Sequence, residues 1–162
     1  MLVSGLVAGF IVGLAVGGNW RNLERFDLRL WPGLLLGVIA RAVAPFLGGL
    51  ALSASIAGLM LISLVALVNR ALPGALLIGL GSFLNTTVSL ANAGMPVDLG
   101  ALAASGKPAP SDGLHVLIGP ETRLPFLADV LLVPLLNNIY SVGDVLLAIG
   151  GFWMTFRLVK ER

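Results

Sequence analysis

The chain has 162 residues, 57% of them hydrophobic and only 11% charged, with a formal net charge of +2 and a mean hydropathy of +1.00. Cysteine is absent, which excludes a disulfide framework and thiolate chemistry, and with His115 as the only histidine neither a metal nor a cofactor is expected. The few cations sit where membrane topology accounts for them, so nucleic acid is not an expected partner.

Five apolar stretches, about 1–18, 31–51, 53–69, 74–92 and 142–158, hold most of the chain. A hydrocarbon core about 30 Å thick takes about 20 helical residues to cross. The expected fold is therefore all-α: one domain over residues 1–162, an integral membrane bundle of five transmembrane helices, with the lipid bilayer as its principal partner. A segment at 93–141 is left as a loop on the outer face.

Residues 1–18 lack a basic leading segment and end in Gly17-Gly18-Asn19, so they read as a retained first span rather than a cleaved signal peptide. Gly5, Gly9, Gly13 and Gly17 recur every fourth residue and share one helix face. Such a groove admits a second helix backbone closely, either a neighbouring span or the surface of a homo-oligomer or membrane-protein partner. The connection 19–30 is charged and flanked by Trp20 and Trp31, indoles that anchor spans at headgroup level. Leu23, Phe26, Leu28 and Leu30 place part of it in the interface.

Arg21, Arg25, Arg29, Arg70, Arg157, Lys160 and Arg162 all fall on the cytoplasmic side if the N-terminus is outside and the C-terminus inside, with Lys107 and Arg123 left outside. This is the orientation that the positive-inside bias selects. The second span carries Arg41 near its middle, four residues before Pro45, where proline removes a backbone bond and bends the helix. A guanidinium inside a span normally faces a partner or a wet cavity. Spans two and three form a tight hairpin. The fourth is polar toward its outer end, with Asn85, Ser89 and Asn92 on one face.

The outer segment holds Pro96, Pro108, Pro110, Pro120, Pro125 and Pro134. Within it, 124–136 is apolar but too short to span, so it reads as an interfacial or re-entrant helix before the last span, with Asp129 in its middle. Ser141-Val142-Gly143-Asp144 then opens span five as a capping box. Asp129 and Asp144 are the residues best suited to chemistry. Two carboxylates in one site share a proton and so supply an acid and a base together, which is what activating water against a peptide bond requires. Arg41, Asn85, Ser89 and Asn92 are the candidate groups for orienting substrate or the carboxylates. Gly79-Leu-Gly81 is no phosphate cradle, since no strand precedes it. Ser111 and Asp112 near His115 supply the letters of a triad, but a proline-rich loop offers no rigid element to hold them.

Two resemblances bear on these residues. Tyr140-Ser-Val-Gly-Asp144, with Gly150 six residues on, is similar to the final motif of lipoprotein signal peptidases, the intramembrane aspartyl proteases. Ala128-Asp129-Val130 resembles the motif around their other catalytic aspartate, and Gly81-Ser-Phe-Leu-Asn85 resembles the G-x-x-x-N run of their penultimate helix. That likeness covers about a third of the chain and implies an aspartyl hydrolase with Asp129 and Asp144 catalytic. The whole chain more closely resembles an uncharacterised family of small bacterial inner-membrane proteins, through its tryptophan-flanked first connection, Asn92-Ala-Gly-Met-Pro-Val97, Thr122-Arg-Leu-Pro-Phe-Leu-Ala-Asp129 and Ser141-Val-Gly-Asp144. That family implies the location and no activity. The leading expectation is accordingly an accessory or interaction subunit packing through the glycine face of its first helix. The alternatives are an outer-face aspartyl hydrolase and a small-solute transporter along Arg41 and Ser89.

Overall fold

The computed structural model describes residues 1–25 and 27–160, with the Arg25 side chain outside the description. Phe26 and Arg162, named above for the interface and for cytoplasmic charge, lie outside the described residues. The chain forms helices α1 (Leu2–Ala15), α2 (Trp31–Val43), α3 (Ala51–Val68), α4 (Ala75–Ala91), α5 (Leu99–Ser105) and α6 (Val142–Lys160). Four short strands lie between α4 and α6: β1 (Met95–Val97), β2 (His115–Leu117), β3 (Leu131–Val133) and β4 (Asn138–Tyr140).

The long helices coincide with the five apolar stretches. Two of them, Gly48–Val68 with its leading turn and Val142–Lys160, are long and apolar enough to cross a membrane; Leu2–Ala15, Trp31–Phe46 and Ala75–Ala91 are apolar but shorter. The second stretch is shorter than hydropathy suggested because Pro45 stops it. α2 ends at Val43 and continues as single 3-10 turns at Ala44–Phe46 and Gly48–Leu50, since proline has no N–H for the helix ladder. Arg41 is thus in the last turn of α2 rather than in mid-span. There its charge complements the negative end of the helix dipole.

Neighbours in sequence pack as hairpins, α2 on α3 and α3 on α4, and α6 then lies between α4 and α1. Small residues set the closeness of these contacts. A methyl group at Gly5 would run into the Ala148 carbonyl, one at Gly9 into the Phe152 carbonyl, and one at Gly13 would press on Val159. The bare face of α1 also lets the Thr155 hydroxyl donate to the Leu6 carbonyl at 2.8 Å. That face is occupied by α6 of the same chain. Gly17 does not belong to the contact: it lies beyond the helix end at φ +87° with nothing near it.

Leu2, Ile62, Ala66, Ala75, Ile78, Leu147 and Met154 fill the apolar core between the helices. The outward faces are no less apolar, among them Val3, Val7 and Ile11 of α1, Met60, Leu64 and Leu67 of α3, and Leu76, Leu80 and Phe83 of α4. Polar side chains are instead found inside, notably Ser55, Ser82, Asn85, Thr86 and Ser89.

One end of the bundle is closed by residues 19–25 and 27–30. Asn19 N–H and the Asn22 amide both donate to the Val159 carbonyl, and Asn69 clamps the Arg29 backbone from both sides. The other end carries residues 92–141. There β1 and β2 pair in parallel, Met95 with His115 through Val97 with Leu117. β3 and β4 form an antiparallel hairpin, Leu131 with Tyr140 through Val133 with Asn138. The expected interfacial or re-entrant helix at 124–136 is absent. Pro125 and Pro134 break the run, each opening a single 3-10 turn, Pro125–Leu127 and Pro134–Leu136, and Leu131–Val133 goes into the hairpin instead. A short apolar run bounded by prolines fits strand as readily as helix.

Candidate functional site

The polar residues inside the bundle converge on a cavity of about 310 Å³ at the end covered by residues 92–141. α2 supplies Arg41, α3 Ser55, α4 Asn85 and Ser89, and α6 Asp144. The strand layer adds Met95, His115, Asp129 and Tyr140. Four of the predicted groups, Arg41, Asn85, Asp129 and Asp144, are therefore brought together, and Ser89 joins them. Asn92 is not part of the cavity. Its amide donates to the Val88 and Arg123 carbonyls while its oxygen accepts from Arg123 N–H at 2.8 Å. It sits one step past the end of α4, where it ties down the following loop rather than facing inward.

Asp144 is held twice. Ser141 and Asp144 make the expected capping box, with Asp144 N–H donating to Ser141 Oγ at 3.0 Å and Ser141 N–H to the carboxylate at 3.4 Å. Asn85 Nδ2 then donates to Asp144 Oδ1 at 3.2 Å, and Ser141 Oγ donates to Asn85 Oδ1 at 2.9 Å. This closed ring between α4 and α6 exists because Gly81 and Gly143 face each other. A methyl at Gly81 would strike the Gly143 carbonyl, and one at Gly143 would strike the Asn85 amide itself.

Asp129 is fixed through its backbone. Its N–H donates to the Pro96 carbonyl at 2.8 Å and its carbonyl accepts from Asp98 N–H at 3.0 Å, so it lies alongside β1 as a further bridge. The residue is 7% exposed, and Oδ1 is buried with no hydrogen-bond partner. Burial pushes the carboxyl up, the nearby Asp144 charge pushes it further, and Arg41 opposes both only partly, leaving it at about 8. Asp129 thus stays protonated near neutrality. Arg41 Nη1 donates to the buried Ser55 hydroxyl, which holds its side chain across the α2–α3 hairpin at the cavity.

His115 and Asp112, set aside in the sequence as residues on a loose loop, also line the cavity. Asp112 Oδ1 accepts from the Leu114 and His115 N–H groups at 2.9 and 3.1 Å, and Oδ2 lies 2.6 Å from His115 Nδ1. Burial alone would raise the Asp112 carboxyl, but these hydrogen bonds and the histidine beside it bring it below its ordinary value. The far side of the ring, Nε2, is 3.7 Å from Asp129 Oδ2. The loop that seemed too loose to hold such a set is stiffened at its end by the pairing of β2 with β1. The spacing Asp112-x-x-His115 was the available signal. Among the described residues no group of three or more His, Cys, Asp or Glu is placed to hold a metal ion.

A family model described as a family of unknown function, DUF5317, matches residues 25–156. The chain belongs to the DUF5317 family. No curated protein and no solved structure matches it. The match to the DUF5317 model takes in Arg41, Asp112, His115, Asp129 and Asp144 of the cavity and leaves out α1.

Proposed function

We propose that the chain is a multi-pass protein of the bacterial cytoplasmic membrane, with the N-terminus outside, and that the cavity is the active site of an aspartyl-type hydrolase acting at the outer face. Five spans are supported by the pattern of burial: apolar side chains cover the outward faces of the helices while serines, threonines and an asparagine lie inside, the arrangement that lipid favours. The orientation is supported by Arg21, Arg29, Arg70, Arg157 and Lys160, which gather at the end opposite the cavity.

The observation that carries the chemical reading is Asp129. A carboxyl group with an orphaned oxygen, sharing a cavity with a second carboxylate and an arginine, is costly to keep unless something is bound there. Asp144, which accepts hydrogen bonds from the Asn85 amide and Ser141 N–H, is the carboxylate placed to act as base. It takes a proton from water whose oxygen attacks an amide carbonyl carbon. Asp129 gives its proton to the carbonyl oxygen, and Arg41 stabilises charge developing there. Collapse of the tetrahedral species returns a proton to Asp129, transfers one from Asp144 to the leaving nitrogen and breaks the carbon–nitrogen bond. The likeness of Gly81–Asn85, Ala128–Val130 and Tyr140–Gly150 to lipoprotein signal peptidases supports the same assignment.

The accessory-subunit reading loses its main support because α6 covers the glycine face. Solute passage is disfavoured by the apolar core beneath the cavity. The test is incubation of the purified full chain, in lipid nanodiscs, with membrane-anchored quenched peptides. A peptide bearing a secondary hydroxyl in place of the scissile amide serves as the binding probe. Cleavage abolished by either Asp129→Asn or Asp144→Asn supports the proposal. Absence of both cleavage and thermal stabilisation by the hydroxyl peptide overturns it.

A further inference from the structure

A second cavity of about 290 Å³ lies in the strand layer, opening among the exposed residues 107–111, and Asp112, His115, Asp129, Asn138 and Ile139 line both it and the first. The three titratable groups of this shared wall stand in one row. We propose that His115 is a proton-positioning residue for Asp129: its Nε2 passes the carboxyl proton to and from water in the second cavity, while Asp112 holds the ring in the tautomer this requires.

The chemistry follows from the hydrogen-bond partners. Ionised Asp112 can only accept, so the proton between it and the ring belongs to Nδ1. Neutral His115 then presents a lone pair at Nε2 toward Asp129 Oδ2, 3.7 Å away. A single further proton has two homes. When it moves inward, the Nε2–H bond breaks, its electron pair stays on the ring, and an O–H bond forms on Asp129. The reverse step leaves a carboxylate beside an imidazolium, with Asp112 stabilising the cation from behind. A gap of this length closes by a small ring movement or through one water. Among the described residues, the other titratable or charged groups facing this row are Arg41 from α2, Asp144 from α6, Tyr140 from β4, the α-amino group of Met1 ahead of α1, and Lys107, which reaches Asn138 across the second cavity.

The inference rests on the hydrolase reading for its purpose, since Asp129 must hold its proton when substrate arrives. Its test reads protonation instead of turnover. With one histidine in the chain, its ring nitrogens are unambiguous by nitrogen NMR of the full chain in detergent micelles. The Asp129 carboxyl stretch is identified in infrared difference spectra as the band lost in Asp129→Asn. Replacing His115 by Gln or by Gly removes the imidazolium, so Asp129 should hold its proton about tenfold more tightly or more, the lower end of what an adjacent cation contributes. Added imidazole, entering through the second cavity, should restore the wild-type titration in His115→Gly, which a purely structural role would not allow. Asp112→Asn should shift the ring away from its Nδ1–H form. The proposal is overturned if Asp129 titrates alike in wild type, His115→Gln and His115→Gly, or if the tautomer ignores Asp112→Asn. A chain that cleaves nothing yet shows these shifts refutes the hydrolase alone; a chain that cleaves normally without them refutes the relay alone.

Discussion

Replacing Asp129 by asparagine should make the protein more stable, by an amount that grows with pH. The folded carboxyl keeps its proton to about pH 8, against an ordinary value of 3.8, so between those values the folded chain binds more protons than the unfolded one. Stability therefore falls as pH rises through that window, by about 1.4 kcal/mol for each pH unit. At neutrality, roughly three units above the ordinary value, the wild type carries a penalty of about 4 kcal/mol that the neutral amide of Asp129→Asn lacks. The sign is that of a raised carboxyl: wild type and variant converge in acid, diverge toward neutrality and run parallel in alkali. Thermal or denaturant unfolding of both chains in one detergent, repeated across pH, measures the gap directly. A gap that is constant with pH would show that Asp129 does not carry its proton in the folded state, and the acid role assigned to it would go with it. Loss of function accompanied by gain of stability is the pattern expected of a group kept for chemistry.

Gly143→Ala should push the Asn85 amide off Asp144 and abolish cleavage while leaving the helices formed, as judged by circular dichroism and nanodisc peptide hydrolysis. Gly9→Leu should wedge α1 from α6 and cost about 1–3 kcal/mol as overpacking, read as a lower unfolding midpoint; an unchanged midpoint with a lost oligomer would restore the partner-surface reading of that face. Asn92→Ala removes a side chain that holds the Arg123 backbone from both sides and should cost about 1–3 kcal/mol with cleavage retained. An equal loss of hydrolysis and stability would place Asn92 nearer the site than its hydrogen bonds do.

Much of the helical part was readable because hydropathy runs and glycine spacing are local signals. All five apolar stretches became helices, and Asp129, Asp144, Arg41, Asn85 and Ser89 line one cavity, a meeting that their separate positions did not dictate. What failed was non-local. Leu124–Leu136 looks the same to a hydropathy window whether it becomes a helix or, as here, two 3-10 turns around half of a hairpin whose partner is Asn138–Tyr140. Asp112 and His115 were discounted because prolines surround them, yet their order comes from a strand twenty residues away, which spacing alone does not reveal. Asn92 shared a face with Asn85 in projection but lies past the helix end, where the projection no longer applies. The glycine stripe announced a close neighbour without saying that the neighbour was the last helix.

That final point bears on how the molecule is assembled. α1 finds its mate in α6, which lies far along the sequence, beyond the hairpins that join α2, α3 and α4. Its bare flank is covered only where these distant elements meet, and α6 also brings Asp144 to the cavity that Asp129 lines. On the proposed chemistry, a change that displaces α6 strips α1 of its mate and the cavity of its base together.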